Sequence, residues 1–422
     1  MHAAGDESTP PAAAGCAPGP NIFAMKTTVR IPGMRLLHSP GPTRVPDEVV
    51  SAMARQPTDL ADPRLQVLVA ACESGMKALL RTERAEVFFY AANGHGGWEA
   101  VIANLVAPGG AVLVPGTGHF SDDWAEQVEA YGGVAVRTPY REGFPIDPAA
   151  VEAALRDDTA HRIGAVFVVH TDTASGTTCD LAAIRAALDA ARHPALFVVD
   201  VVASLAAAPF AMDALGIDVV IGASQKGLMV HPGLAFVAAD ERALAFARAN
   251  PTPRFYWDWQ RRQSPLSYRK FCGTPPLALL AGLEAALGLI AHEGLAEVQA
   301  RHARLARAVQ AAVTSWGEGG ALRLFTQVPA ARSVSVTAIE VAPGIDPEAL
   351  RTVARERFQV AIAGGLGPLS GRVFRIGHMG DVNEAMILGC LAGVEAALHV
   401  QGVPCGRDGV AAAVASLVEA TG

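Results

Sequence analysis

The chain has 422 residues, 51% hydrophobic and 18% charged, which leaves room for two or three packed domains and excludes a wholly disordered protein. Its net charge of -7 offers no basic footprint for nucleic acid or an acidic membrane surface, and no run of about eighteen apolar residues is present to span a bilayer. Small-molecule chemistry is what remains to look for.

Residues 1–33, rich in Ala, Pro and Gly, read as a disordered leader with neither the basic start nor the apolar centre of a signal peptide. The six cysteines lack CxxC spacing, so no zinc site or disulfide framework is expected, and reduced thiols in a cytoplasmic setting are the default. Between residues 86 and 240, seven short apolar runs alternate with helical patterns: EVFFYAA (86–92), AVLVPG (111–116), VAVRTP (134–139), IGAVFVVH (163–170), ALFVVD (195–200), DVVIGAS (218–224) and LAFVAAD (234–240). Such alternation predicts βαβ units and a mainly parallel seven-stranded sheet, with strands apolar on both sides because helices cover both faces. After residue 275 come two long helices and then mixed strands and helices, the pattern of a smaller α+β module. The expected division is a large domain over 34–290 and a small C-terminal domain over 291–422.

In an α/β sheet, ligands bind beyond the carboxyl ends of the strands. The first strand ends in AANGHGGWEAV, a glycine-rich turn opening a helix whose free N–H groups and positive dipole end suit a phosphate, although such turns are often only tight connections. ALFVVD ends in Asp200, for which a helix N-cap is the plain alternative. The next strand ends just before Lys226, which has no other charge from Val219 through Ala238. Only Lys26, Lys77, Lys226 and Lys270 are lysines, so an amine in an apolar setting points to something guanidinium cannot do, namely lose its proton and attack a carbonyl. Phosphate cradle, lysine and carboxylate together are what pyridoxal phosphate requires: a covalent anchor for its aldehyde and an acid that keeps its ring nitrogen protonated.

The ordered segments LLHSPGPTRVPDEVV, GHGGWEA, GTGHFSDDWAE, HTDTASGTT, DVVAS, GASQKGLM, FCGTPPLALLAGL and LGPLSGRVFRIGHMGDVNEAMILG resemble the class V aminotransferases of PLP fold type I, most closely the alanine/serine-glyoxylate branch. The resemblance runs over about residues 34 to 400. It implies that Lys226 bonds to pyridoxal 5'-phosphate, that Asp200 pairs with the ring nitrogen, and that Phe120 stacks on the ring. Gly94, His95, Gly96 and Gln225 would surround the phosphate, Thr173 would bond near the phenolic oxygen, and Arg375 would grip the substrate carboxylate. Thr274 would reach the phosphate of a partner subunit, which makes the enzyme a homodimer with its site at the interface. The implied reaction carries an amino group from serine, alanine or aspartate to glyoxylate or pyruvate by a ping-pong route.

Asn93 stands where the family usually has a serine, Phe271 where it has a tyrosine, and Leu60 and Arg64 where many members have a histidine and a glutamate, so the substrate mouth is expected to differ. The pyridoxamine-pyruvate branch shares DTASGTT and RIGHMG but uses a glutamate near Asn93 and an arginine near Leu366, neither present here. That branch and a PLP-dependent lyase are the alternatives. The desulfurase subtype needs a mobile cysteine loop, and Cys272 and Cys390 lie in segments without one.

Overall fold

The computed structural model describes residues 33–419, so the expected leader lies outside the described residues apart from Gly33. Each of the seven apolar runs forms a strand: Glu86–Tyr90, Ala111–Pro115, Val134–Thr138, Ile163–Val169, Leu196–Asp200, Val219–Ala223 and Ala235–Ala239. They make one sheet in the spatial order first, seventh, sixth, fifth, fourth, second, third. The seventh strand runs antiparallel to both neighbours, and every other pairing is parallel.

Successive side chains on a strand point to opposite faces. Val87, Phe89, Val199 and Val220 therefore enter one core, and Phe88, Tyr90, Val198 and Ile221 enter the other. Helices Pro148–Asp157 and Leu181–Ala191 cover the first face through Val151, Leu155, Ile184 and Leu188. Helices Gly94–Leu105 and His119–Ala130 cover the second through Val101, Ile102, Trp124 and Val128.

The helix Gly94–Leu105 approaches the sheet closely because Gly97 has no side chain: a Cβ there would lie 2.7 Å from Cγ2 of Ile221. Gly97→Val is accordingly expected to destabilise the protein by about 1–3 kcal/mol through overpacking, measured by denaturant unfolding of the cofactor-free protein.

A second sheet has the order Leu36–His38, Val360–Gly364, Val373–Gly377, Val336–Val341, Leu322–Leu324. Its first strand comes from the far end of the chain and pairs parallel with Val360 to Ile362, while the rest is antiparallel. Helices Leu295–Gly317, Pro347–Arg357 and Glu384–Val400 close its core around Val309, Ile339, Leu350, Phe374 and Leu391. The described residues from Arg35 onward hold together as one compact unit. Among the described residues no single helix is long and apolar enough to cross a membrane, and no cluster of three or more His, Cys, Asp or Glu is placed to hold a metal ion.

Candidate active site

The carboxyl ends of Ile163–Val169, Leu196–Asp200 and Val219–Ala223 open onto a cavity of about 320 Å³. Gly94, His95, Phe120, Thr173, Asp200, Gln225 and Lys226, seven of the residues singled out from the sequence, line it. Five separate strand ends and loops thus converge, as a parallel sheet dictates.

Lys226 follows the sixth strand on a short loop whose backbone is held by the N-terminal segment: the Thr43 amide donates to the Gln225 carbonyl (3.1 Å) and the Thr43 hydroxyl to the Lys226 carbonyl (3.0 Å). Its Nζ donates to the Pro40 carbonyl at 2.6 Å. Between these contacts lies Gly41, with φ of +132°, where a Cβ would stand 2.4 Å from Cε of Lys226. Only glycine suits both that backbone and that contact. Burial, reinforced by the positive Arg375, lowers the Lys226 amine to about 8, against the opposing pull of Asp200 and Asp172.

Asp200 is 4% exposed. Burial raises its carboxyl to about 6, although the Val202 amide donates to Oδ1 (2.6 Å), the Trp98 indole to Oδ2 (2.6 Å), and Lys226 adds an attractive charge. Two donors and a neighbouring amine thus do not offset its burial, and a further positive charge beside it would favour the carboxylate.

The helix Gly94–Leu105 presents its N-terminus to the cavity. Asn93 caps it, its Oδ1 accepting from the Gly96 amide at 3.2 Å. Gly94 and His95 are the first two helical residues, whose N–H groups have no carbonyl within the helix to reach. Gly96 does not join them in the wall: its amide is taken by Asn93, and a Cβ would meet that of Ala92 at 2.6 Å, so packing explains this glycine. Gln225 has a buried side-chain oxygen without a partner, which a hydrogen-bond donor would satisfy.

Asp172, which sequence reasoning passed over, ties two parts of the wall together. Fully buried, it accepts from the amides of Phe120 (2.9 Å), Ala174 (2.7 Å) and Ser175 (3.2 Å), so the loops carrying Phe120 and Thr173 move as one. Arg375 borders that wall at Thr173 without being one of the residues that line the cavity. Its Nε donates to the Gly364 carbonyl (2.6 Å) and its Nη1 to the Thr173 carbonyl (2.7 Å), leaving Nη2 without a protein acceptor. Burial lowers its guanidinium to about 10.

Thr274 is exposed and outside the cavity of its own chain. Phe271 is buried in the main core. Leu60 and Arg64 are likewise away from the cavity, Arg64 pairing with the helix-capping Asp62. Gly41 and Trp98, both lining residues, sit in segments conspicuous in the sequence, but their roles depend on contacts far along the chain.

The donor set fits a phosphorylated pyridine aldehyde: unpaired amides for a phosphate, a basic amine of lowered pKa for the aldehyde, and a buried carboxylate for a ring cation. The model of the family "Aminotransferase class-V" matches residues 35–371. A serine–glyoxylate aminotransferase of Methylorubrum extorquens is 39% identical, over 92% of this chain and 98% of its own. An L-aspartate–glyoxylate aminotransferase of Paracoccus denitrificans is 38% identical, over 89% and 94%. Among solved structures, pyridoxamine-pyruvate aminotransferase from Mesorhizobium loti superposes with a TM-score of 0.84 at 29% identity, covering 92% of this chain and 97% of that one. On the extent of these matches and the geometry of its cavity, the chain belongs to the class-V aminotransferases and is a PLP-dependent transaminase of fold type I.

Proposed function

We propose that this enzyme transfers the amino group of a small amino acid, namely serine, alanine or aspartate, to glyoxylate or pyruvate in two half-reactions at one site. The observation that carries the reading is that Lys226, with a lowered amine, and Asp200, with a raised carboxyl, share one cavity wall beside a glycine-rich helix start. The two relatives named for glyoxylate support the acceptor. Pyridoxal phosphate, when bound, supplies an electron sink for charge developing at the substrate's Cα.

The chain's own residues divide the remaining work. Lys226 would hold the cofactor's aldehyde and, as a free amine, would take up the proton from the substrate's Cα; at about 8, roughly a tenth of that amine is neutral at pH 7. Asp200, as a carboxylate, would hold the ring nitrogen in its cationic form. Gly94 and His95 offer backbone N–H groups to the phosphate, with Gln225 beside them, and Phe120 supplies a flat apolar face to the ring. Arg375 holds the substrate carboxylate, which orients Cα toward Lys226. Thr274 completes the phosphate site of a partner, so the working unit is a homodimer.

The reading is tested by following the visible absorption of the cofactor-loaded protein while single amino acids and then single oxo acids are added. The expected result is that one of the small donors removes the band and glyoxylate or pyruvate restores it. No response to any amino acid overturns the proposal. Use of phosphate-free pyridoxamine as the amino donor assigns the chain to the pyridoxamine-pyruvate reaction instead, and ammonia release without an acceptor assigns it to a lyase.

A further inference from the structure

We propose that Trp98 is a positioning residue whose indole N–H fixes the Asp200 carboxylate in the orientation and the ionised form that a ring cation requires. The placement follows from two periodicities. On the strand Leu196–Asp200, Leu196 and Val198 face the layer beneath Gly94–Leu105, and alternation sends Asp200 to the same side. On the helix, Trp98 lies four residues after Gly94 and therefore on the same face as the turn that opens the cavity.

The two side chains meet at 2.6 Å, from Nε1 to Oδ2, across 102 residues of sequence. The other carboxylate oxygen is already held by the Val202 amide at 2.6 Å, so the Trp98 bond leaves Asp200 one orientation. Trp98 is itself fixed: 2% exposed, it stacks on Trp124 (ring centroids 5.2 Å apart, planes 12° from parallel), which stacks on Phe167 (4.6 Å, 23°). Phe120 meets its edge at 6.3 Å. An indole so held has no acceptor besides Asp200 and cannot turn to find one.

The chemical consequence concerns which partner keeps the proton. Burial favours neutral Asp200, and a neutral acid would not hold a ring cation. The bond from the Val202 amide stabilises the carboxylate most, the bond from Trp98 next and then the charge of Lys226, whereas Asp172 opposes it. His170, whose amide donates to the Asp200 carbonyl at 3.0 Å, is held neutral by burial at about 4 and adds no charge above that pH. After the Val202 amide, Trp98 is thus the neutral side chain that tips Asp200 toward ionisation. The catalytic relevance rests on the proposed cofactor site, but the hydrogen bond does not, and it is tested without cofactor.

Cofactor-free protein with [15N]indole-labelled tryptophan gives five side-chain resonances, one for each tryptophan. One of these, absent from Trp98→Phe, is expected to move with pH through a midpoint near that of Asp200, and the movement to vanish in Asp200→Asn. In Trp98→Phe, which keeps a ring against Trp124 but has no donor, the 13C-observed Asp200 carboxyl is expected to titrate about one pH unit higher, a tenfold gain in proton affinity. With cofactor bound, the acid limb of the kcat/KM profile should rise by a similar amount. An unmoved carboxyl midpoint in a folded Trp98→Phe protein overturns the proposal. Should that variant not fold, Asp200→Asn identifies the indole resonance, and the absence of any titrating indole in the unaltered protein overturns it equally. A titrating indole in a protein that binds no pyridoxal phosphate would leave this inference standing and remove the proposed function.

Discussion

Lys226→Met is expected to abolish transamination, by a factor of about 10⁴ or more, while making the cofactor-free protein more stable at neutral pH. The loss follows from the two roles assigned to one amine, covalent attachment and proton transfer; the second alone is worth about 10²–10⁴. The gain follows from burial. An amine lowered from 10.5 to about 8 costs roughly 3 kcal/mol when charged. Residual solvent contact at the cavity wall and the loss of the hydrogen bond to the Pro40 carbonyl reduce the benefit of removing it to the order of 1 kcal/mol. The sign fixes the pH window. Between about 8 and 10.5 the unfolded chain binds more protons than the folded one, so the unaltered protein gains stability as pH rises across that range. The advantage of Lys226→Met is therefore full below about pH 8 and fades toward 10.5. Denaturant unfolding at several pH values, with assays of the same samples, checks both halves.

Arg375→Leu is expected to lower kcat/KM for the amino acid donor about a hundredfold or more, with most of the effect in KM for donor and acceptor alike. Losing one partner of a buried, hydrogen-bonded charge pair typically costs about 2–5 kcal/mol. Nη2 of Arg375 has no protein acceptor, whereas Nε and Nη1 are committed to the Gly364 and Thr173 carbonyls. A substrate carboxylate would claim the free nitrogen. The control is a small alkylamine with no carboxylate: steady-state rates for it should be slow and nearly equal in the two proteins. An equal loss for acid and amine would mean that Arg375 only braces Thr173.

The main sheet was legible because its strands are short apolar runs with glycine, proline or aspartate between them, and all seven fall within the stretches that periodicity marks. The small sheet was partly hidden. Leu36–His38 is three residues long and finds its partner, Val360 to Ile362, more than three hundred residues later. The long helix Pro63–Leu80 carries a readable apolar stripe at Leu65, Val69, Cys72 and Met76, whereas Leu60 and Arg64, expected to alter the substrate mouth, do not line the cavity.

The site divides in the same way. Lys226 and Asp200 could be found because each ends or follows a parallel strand, where chain topology alone brings them together. Gly41 could not, since its reason is the Lys226 side chain lying where a Cβ would go. Trp98 and Asp172 act through partners that no local pattern names. Gly96 shows the reverse case: a glycine that looks like part of a phosphate loop but is required by the Cβ of Ala92.

The proposed function requires one particular amine of this chain to become bonded to pyridoxal phosphate. Reducing the cofactor-loaded protein with borohydride, digesting it and locating the added mass shows which amine that is. The expected result is a single modified peptide carrying Lys226. Modification at Lys26, Lys77 or Lys270 instead, or at no lysine in a protein saturated with cofactor, would contradict it.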